Sequence, residues 1–152
     1  MKKRIIFILL FITTLFIVGC NNPLQGKKPN KFYYTNLLAK NLTLESSCNG
    51  VILDTNFYKE QKLSNDDLAT VKGFVKELRK HNYIEKPKDL PSAPQYKLYL
   101  SFSKEEYVID VYNERYLSIY PWDGDYPRDY LDMKDINTAH NLYYLCKYLI
   151  PR

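Results

Sequence analysis

Glycine is scarce in this sequence, with five in 152 residues, and none falls in a run spaced to cradle phosphate. Nucleotide binding through a glycine-rich loop is thereby excluded. Histidine is scarcer, with His81 and His140 alone. No G-x-S-x-G occurs and neither Cys48 nor Cys146 has a histidine nearby in sequence, which argues against a nucleophilic triad. The three cysteines show no C-x-x-C spacing, so they make neither a disulfide framework nor a zinc site. A fully apolar run of the roughly 20 residues needed to span a membrane is also missing.

What is present begins with Lys2, Lys3 and Arg4, followed by an uncharged, mostly apolar stretch from Ile5 to Gly19. A positive start, a short apolar core and a small closing residue are the parts of a secretory signal. The stretch ends in Ile17-Val18-Gly19-Cys20. This resembles the lipobox of bacterial lipoproteins, which implies cleavage before Cys20 and a diacylglyceryl group on that cysteine. Two or more acyl chains hold a protein stably on a membrane without a spanning helix. Membrane lipid, reached through Cys20, is therefore the first expected partner, and the outer face of the cell membrane the expected location. Residues 1–19 are read as the signal peptide. Residues 20–31 are read as the lipidated N-terminus and a tether of Asn, Pro, Gly and Lys.

Cleavage alters the charge argument. The whole chain carries 22 basic and 17 acidic side chains, net +5, but three of the bases and none of the acids lie in residues 1–19. The remainder is close to neutral at +2, so nucleic acid is not an expected partner. Residues 32–152 suffice for one domain with a modest core. Within it, Cys48 and Cys146 are either a candidate disulfide, which export permits, or two buried thiols.

The pattern predicts an α+β fold: an antiparallel sheet, made of a hairpin and a three-stranded meander, with two helices packed on one face. Val51–Leu53 and 57–62 read as short strands around the turn-forming Asp54-Thr55-Asn56. Ser64 and Asp67 open a helix as a capping box, with Leu68, Val71, Phe74, Val75 and Leu78 at helical spacing. Three alternating segments, 96–102, 107–112 and 116–120, form the meander. A four-residue loop at 103–106 pairs Phe102 with Tyr107, Leu100 with Ile109 and Leu98 with Val111. A three-residue loop at 113–115 pairs Val111 with Leu117 and Ile109 with Ile119. Both place aliphatic side chains on one face. The last helix is expected over 136–149. Residues 32–47 stay ambiguous between a helix with a strand and an irregular wrap.

The other face of the meander carries Tyr99, Tyr112, Tyr116 and Tyr120, with Tyr99 expected opposite Asp110. Tyrosine reaches 15 residues, and its apolar ring with a polar tip suits sugar stacking or peptide gripping. This face is either a binding surface or a layer covered by residues 32–47. The segment 120–132 adds the sole tryptophan, Trp122, and the carboxylates Asp123, Asp125, Asp129 and Asp132. Trp122, Asp123 and Asp125 are candidate binding residues. Three readings of the acids stay open: turn formers, a calcium site that departs from the EF-hand pattern, or a glycosidase-like carboxylate pair. No cofactor or resident metal is implied.

Signal, lipobox, tether and one small Tyr/Lys/Asn-rich domain together resemble uncharacterised lipoproteins of low-GC Gram-positive bacteria. The YPWDGDYPRDYLDM stretch is similar to a segment of one such family. The resemblance implies a cell-surface location and no activity. The sequence thus points to a non-catalytic surface module for an envelope polymer, peptide or protein. The alternative is a small hydrolase of wall material working through residues 123–132.

Overall fold

The structure, a computed structural model, describes residues 28–45, 47–122 and 127–151. Residues 1–19, read above as a signal peptide, Cys20, most of the 20–31 segment, Asp123 and Asp125 lie outside the described residues. A seven-stranded antiparallel sheet has the order β2-β1-β4-β5-β6-β7-β3. In chain order the strands are β1 (Asn49–Asp54), β2 (Glu60–Lys62), β3 (Tyr83–Ile84), β4 (Tyr96–Ser101), β5 (Glu106–Val111), β6 (Tyr116–Pro121) and β7 (Asp129–Asp132). Among the described residues three α-helices accompany them: α1 (Tyr33–Leu44), α2 (Asn65–Glu77) and α3 (Leu142–Leu149). The α+β class expected from the sequence is the class observed.

The core forms between the helices and one face of the sheet. Ile52 of β1, Leu98 and Leu100 of β4, Ile109 of β5 and Leu117 and Ile119 of β6 meet Leu38 of α1, Phe74 of α2 and Leu142 of α3. The capping box of α2 is present, with Ser64 Oγ accepting from the Asp67 amide at 3.2 Å and Asp67 Oδ2 accepting from the Ser64 amide at 2.7 Å. Residues 32–47 resolve mainly into α1, whose Tyr34, Leu38 and Leu42 supply an apolar stripe to the core.

Several expectations need correction. The β5–β6 register is as derived, with Val111 opposite Leu117 and Ile109 opposite Ile119. The β4–β5 register is displaced by two residues: Leu100 faces Tyr107 and Leu98 faces Ile109. The turn is tighter than expected: the Phe102 amide donates to the Glu105 carbonyl at 2.9 Å, so Phe102 faces Glu105 and not Tyr107, and the two-residue difference falls on the β5 side. A shift of two preserves both faces, so the apolar face survived the error. Lys97, rather than Tyr99, is opposite Asp110.

The last helix starts at Leu142 instead of 136. Asn141 caps it by accepting from the Tyr143 amide, and Asn137 turns the preceding chain by accepting from the Ala139 amide. The strand expected from 57 begins at Glu60. Asp54 explains this by accepting from the amides of Asn56 at 2.8 Å and Phe57 at 3.0 Å, which bends the chain into a turn. Tyr58 in that turn has φ of 53°, a left-handed conformation unusual for a bulky residue. Strand β7 and the edge strand β3 extend the meander beyond what periodicity indicated.

Candidate functional site

The sheet places the predicted binding residues in two separate surroundings. Tyr112, Tyr116 and Tyr120 are on the face opposite the helices, yet all three are buried. The open tyrosine face is therefore not what forms. Nor does α1 cover it, because α1 packs on the other face. The geometry of the sheet supplies the reason. The 85–95 segment must carry the chain from β3, at one edge, to β4 across β7, β6 and β5. Near its start Lys86 shares a groove with Arg128 and Tyr130, and further on Asp89 acts on Arg115, whose guanidinium stacks on Tyr116 with its carbon 4.9 Å from the ring centre.

The centre of this layer is Asp110, 1% exposed. Arg128 donates to Asp110 Oδ2 and also reaches the Tyr112 hydroxyl at 3.2 Å. The same guanidinium lies 4.1 Å from the centre of the Tyr120 ring. Tyr120 donates to Asp110 Oδ1 at 3.3 Å, and the Lys97 ammonium stands 3.6 Å from that oxygen. A buried carboxylate needs such partners to remain charged. Burial, and then the Asp110 charge, push the Tyr120 and Tyr99 hydroxyls above the ordinary tyrosine range, so both stay neutral. Tyr99 remains half-exposed at the rim. Ser118, across from Asp110 on β6, is wholly buried and its Oγ has no hydrogen-bond partner among the described residues.

The acidic segment divides similarly. Asp129 sits on the helix side of β7 and is fully buried. Its Oδ2 accepts from the Thr35 amide at 2.8 Å and the Thr35 hydroxyl at 2.9 Å, while Oδ1 holds Lys28 at 2.9 Å. Thr35 is the third residue of α1, and Phe32 at the cap position offers no capping side chain. Asp129 thus does from a distant strand what a local N-cap would do. Asp132 is held by the Arg115 guanidinium at 2.8 Å and 3.0 Å. Alternation along β7 points these two carboxylates to opposite faces, so they make no catalytic pair. Among the described residues no group of three or more potential metal ligands converges.

Trp122 behaves differently. It follows β6, is 58% exposed and borders a cavity of about 400 Å³. Tyr33 and Leu37 from one side of α1, Glu106 and Tyr107 of β5, and Lys104 of the β4–β5 turn are in the lining. The Trp122 amide donates to the Glu106 carbonyl at 3.0 Å, which fixes the indole's backbone against the turn. Tyr107 donates to Glu105, which also accepts from Asn41 of α1 at 2.7 Å. Burial, followed by this hydrogen bond to Glu105, raises the Tyr107 hydroxyl far above its ordinary range. The result is an aromatic groove with a mixed-charge rim, suited to stacking and hydrogen bonding, with no activated nucleophile among the described residues. Tyr33, Leu37 and Lys104 were missed from sequence. Tyr33 and Leu37 share a side of α1 only once the segment is known to be helical.

Cys48 and Cys146 are free thiols in this structure. Cys146 lies in the core on α3, and burial pushes its thiol well above the ordinary range; burial also raises Cys48 at the entry to β1. Burial thus disfavours the thiolate at both, most strongly at Cys146.

Comparison with curated proteins gives no match. Among solved structures, the chain is similar to a crystal structure described as a "Putative Lipoprotein" from Clostridium perfringens, with 34% sequence identity and a TM-score of 0.72. The match covers 81% of this chain and 98% of that one. It starts from a protein of the same broad kind that the resemblance suggested, and no activity accompanies it. Residues 28–146, from the lysine that holds Asp129 to the core cysteine of α3, match one family, and the chain belongs to it: the family described as "Domain of unknown function (DUF4883)".

Proposed function

We propose that this chain is a lipid-anchored module of the outer face of the cell membrane, and that it binds an envelope ligand in the Trp122 groove without transforming it. The anchoring half draws support from the Ile17–Cys20 motif and from the likeness to a described lipoprotein. Among the described residues no helix is long and apolar enough to cross a membrane, which is compatible with a lipid anchor. The binding half rests on one observation: the chain's single tryptophan is exposed at the mouth of an aromatic cavity. Large exposed aromatics in a concave setting are favoured at binding surfaces. The hydrolase alternative loses two of its four carboxylates, because Asp129 and Asp132 are committed to α1 and to Arg115.

Each half has its own test. Replacing Cys20 by alanine should move the protein from the membrane fraction to the soluble fraction and abolish labelling by palmitate. Retention of both would exclude the anchor. For binding, the domain is co-sedimented separately with purified cell wall and with membrane vesicles. Trp122→Ala should weaken capture by about tenfold or more, the loss expected of a central aromatic contact. Capture that ignores this substitution would remove the groove from consideration.

A further inference from the structure

The two edges of the sheet differ. At one, β3 is half-buried and Phe32 packs edge-on against its Tyr83, with ring centres 5.5 Å apart. At the other, all three residues of β2, Glu60, Gln61 and Lys62, are exposed. Two hydrogen bonds that bracket the β1–β2 ladder give its phase. The Asp54 amide donates to the Lys59 carbonyl at 2.8 Å, and the Leu63 amide donates to the Gly50 carbonyl at 2.9 Å. Residues 59, 61 and 63 therefore turn their backbone groups towards β1, while Glu60 and Lys62 turn theirs outwards from the edge. The Gln61 side-chain amide folds onto the outward Lys62 carbonyl at 3.1 Å, where a neighbouring strand would donate.

We infer that β2 is the docking edge for a second copy of this chain, paired antiparallel about a two-fold axis at Gln61, so that one sheet runs through both domains. The order of charges along the strand carries the inference. About that axis Glu60 lies opposite Lys62 of the second copy, and Lys62 lies opposite Glu60. Both pairs use outward-facing backbone groups, so each exchanges two N–H···O bonds, four in all. Each pair also brings opposite charges together. With the axis moved to Glu60 or to Lys62, like charges meet on it, which is unfavourable. The flanking pairs then fall on Tyr58, whose φ of 53° is not extended, or on Ser64, whose amide is committed to Asp67. A shift of one residue sets outward groups against inward ones. Glu-Gln-Lys is thus its own antiparallel complement in the register that the backbone favours.

The residues beside the strand add apolar surface. Phe57 and Tyr58, 61% and 80% exposed, precede β2 in the Asp54–Lys59 turn. In the same register they lie alongside Ser64 and Asn65 of the second copy, where α2 begins. Covering the two rings there removes apolar area from water. Charge on an edge strand commonly prevents association, because like meets like. Here the order of the charges makes two copies attract. A peptide from another protein would meet the same backbone groups, but the matching charge order is found in this chain itself. The edge is separate from the Trp122 groove, which is built from α1, β5 and the end of β6.

The full chain, solubilised in mild detergent, is followed by sedimentation equilibrium, and a monomer–dimer equilibrium is expected. Glu60→Lys sets lysine against lysine in both pairs and should raise the dimer Kd by about tenfold or more. Adding Lys62→Glu to it should restore dimerisation. Substitution by cysteine tests the register. Gln61 meets its own copy on the axis in a non-bonded pair, with Cβ atoms ~5 Å apart, so Gln61→Cys should give a disulfide-linked dimer under mild oxidation. Glu60→Cys should not, because its two copies stand roughly 8 Å apart. Wild type, whose Cys48 and Cys146 are free thiols, sets the background. The substituted side chains are exposed, so the variants should keep the wild-type Tm. A chain that stays monomeric at every concentration would overturn the inference. So would a Kd unmoved by charge reversal, or Gln61→Cys cross-linking no better than Glu60→Cys. Oxidation in intact cells that joins Gln61→Cys to a different protein would assign the edge to that partner and overturn the pairing of copies.

Discussion

Asp129 and Asp110 show how much of this domain depends on single buried charges. Each is almost fully enclosed, and each is matched by hydrogen bonds from a distant part of the chain. Removing one member of a buried pair strands the other, which costs more than the pair contributes. Asp129→Asn, which removes the charge opposing Lys28 and weakens the cap on α1, should lower stability by about 2–4 kcal/mol in urea unfolding. A change below about 1 kcal/mol would mean that water already screens the site. Ser118 is the opposite case. Its buried Oγ lacks a partner, so Ser118→Ala should leave stability unchanged or raise it by up to about 1 kcal/mol. A clear loss in the same assay would reveal a partner for the hydroxyl.

Among the elements, α2 and the turn before α3 are tied by Glu77. Its carboxylate accepts from the Asn137 amide at 2.9 Å and meets His140, and the His140 ring lies against Gly73. A Cβ at Gly73 would stand 2.5 Å from that ring. Alanine is the better helix former by about 1 kcal/mol, so propensity alone favours Gly73→Ala. The contact reverses the sign: the variant should have a lower Tm than the wild type, and a higher one would show that His140 moves aside freely. The hydrogen bond to His140, then that to Asn137, holds the Glu77 carboxyl below the usual carboxylate range. A depressed folded-state value stabilises the fold above the unfolded pKa, near 4.3, and that contribution is lost as pH falls through the lower folded value. Melting temperatures of wild type should therefore decline below about pH 4.5 more steeply than those of Glu77→Gln. Parallel declines would show that Glu77 carries none of the acid sensitivity.

For the whole molecule, the relevant property is that one sheet gathers all three helices onto a single core, with Cys146 at its centre and Cys48 near its margin. A thiol in the core becomes accessible only when the domain opens. Labelling of Cys146 by a thiol reagent should therefore follow the global unfolding equilibrium across a denaturant series, while Cys48 reacts at denaturant concentrations that leave the fold intact. Identical profiles for the two would show that β1 opens only together with α3.

The sequence by itself determined whatever depends on neighbouring residues. Alternation identified the core face of β4, β5 and β6, Ser64 and Asp67 marked the start of α2, and Asn113 marked the β5–β6 turn, where its side chain accepts from the Tyr116 amide at 2.8 Å. The Ile17–Cys20 motif is likewise local. Tertiary structure decided what depends on residues far apart. Asp129 lies 94 positions from the amide it caps, so no window on the sequence could distinguish it from a turn-forming aspartate. Whether the tyrosine face was open or covered could not be read from the sequence, because alternation specifies a face and says nothing about what crosses it. Trp122 became a groove residue only when α1 was laid across the ends of β5 and β6. Periodicity encodes which side of an element is apolar, whereas burial and concavity come from the path of the connections, and those paths are set by packing the whole chain at once.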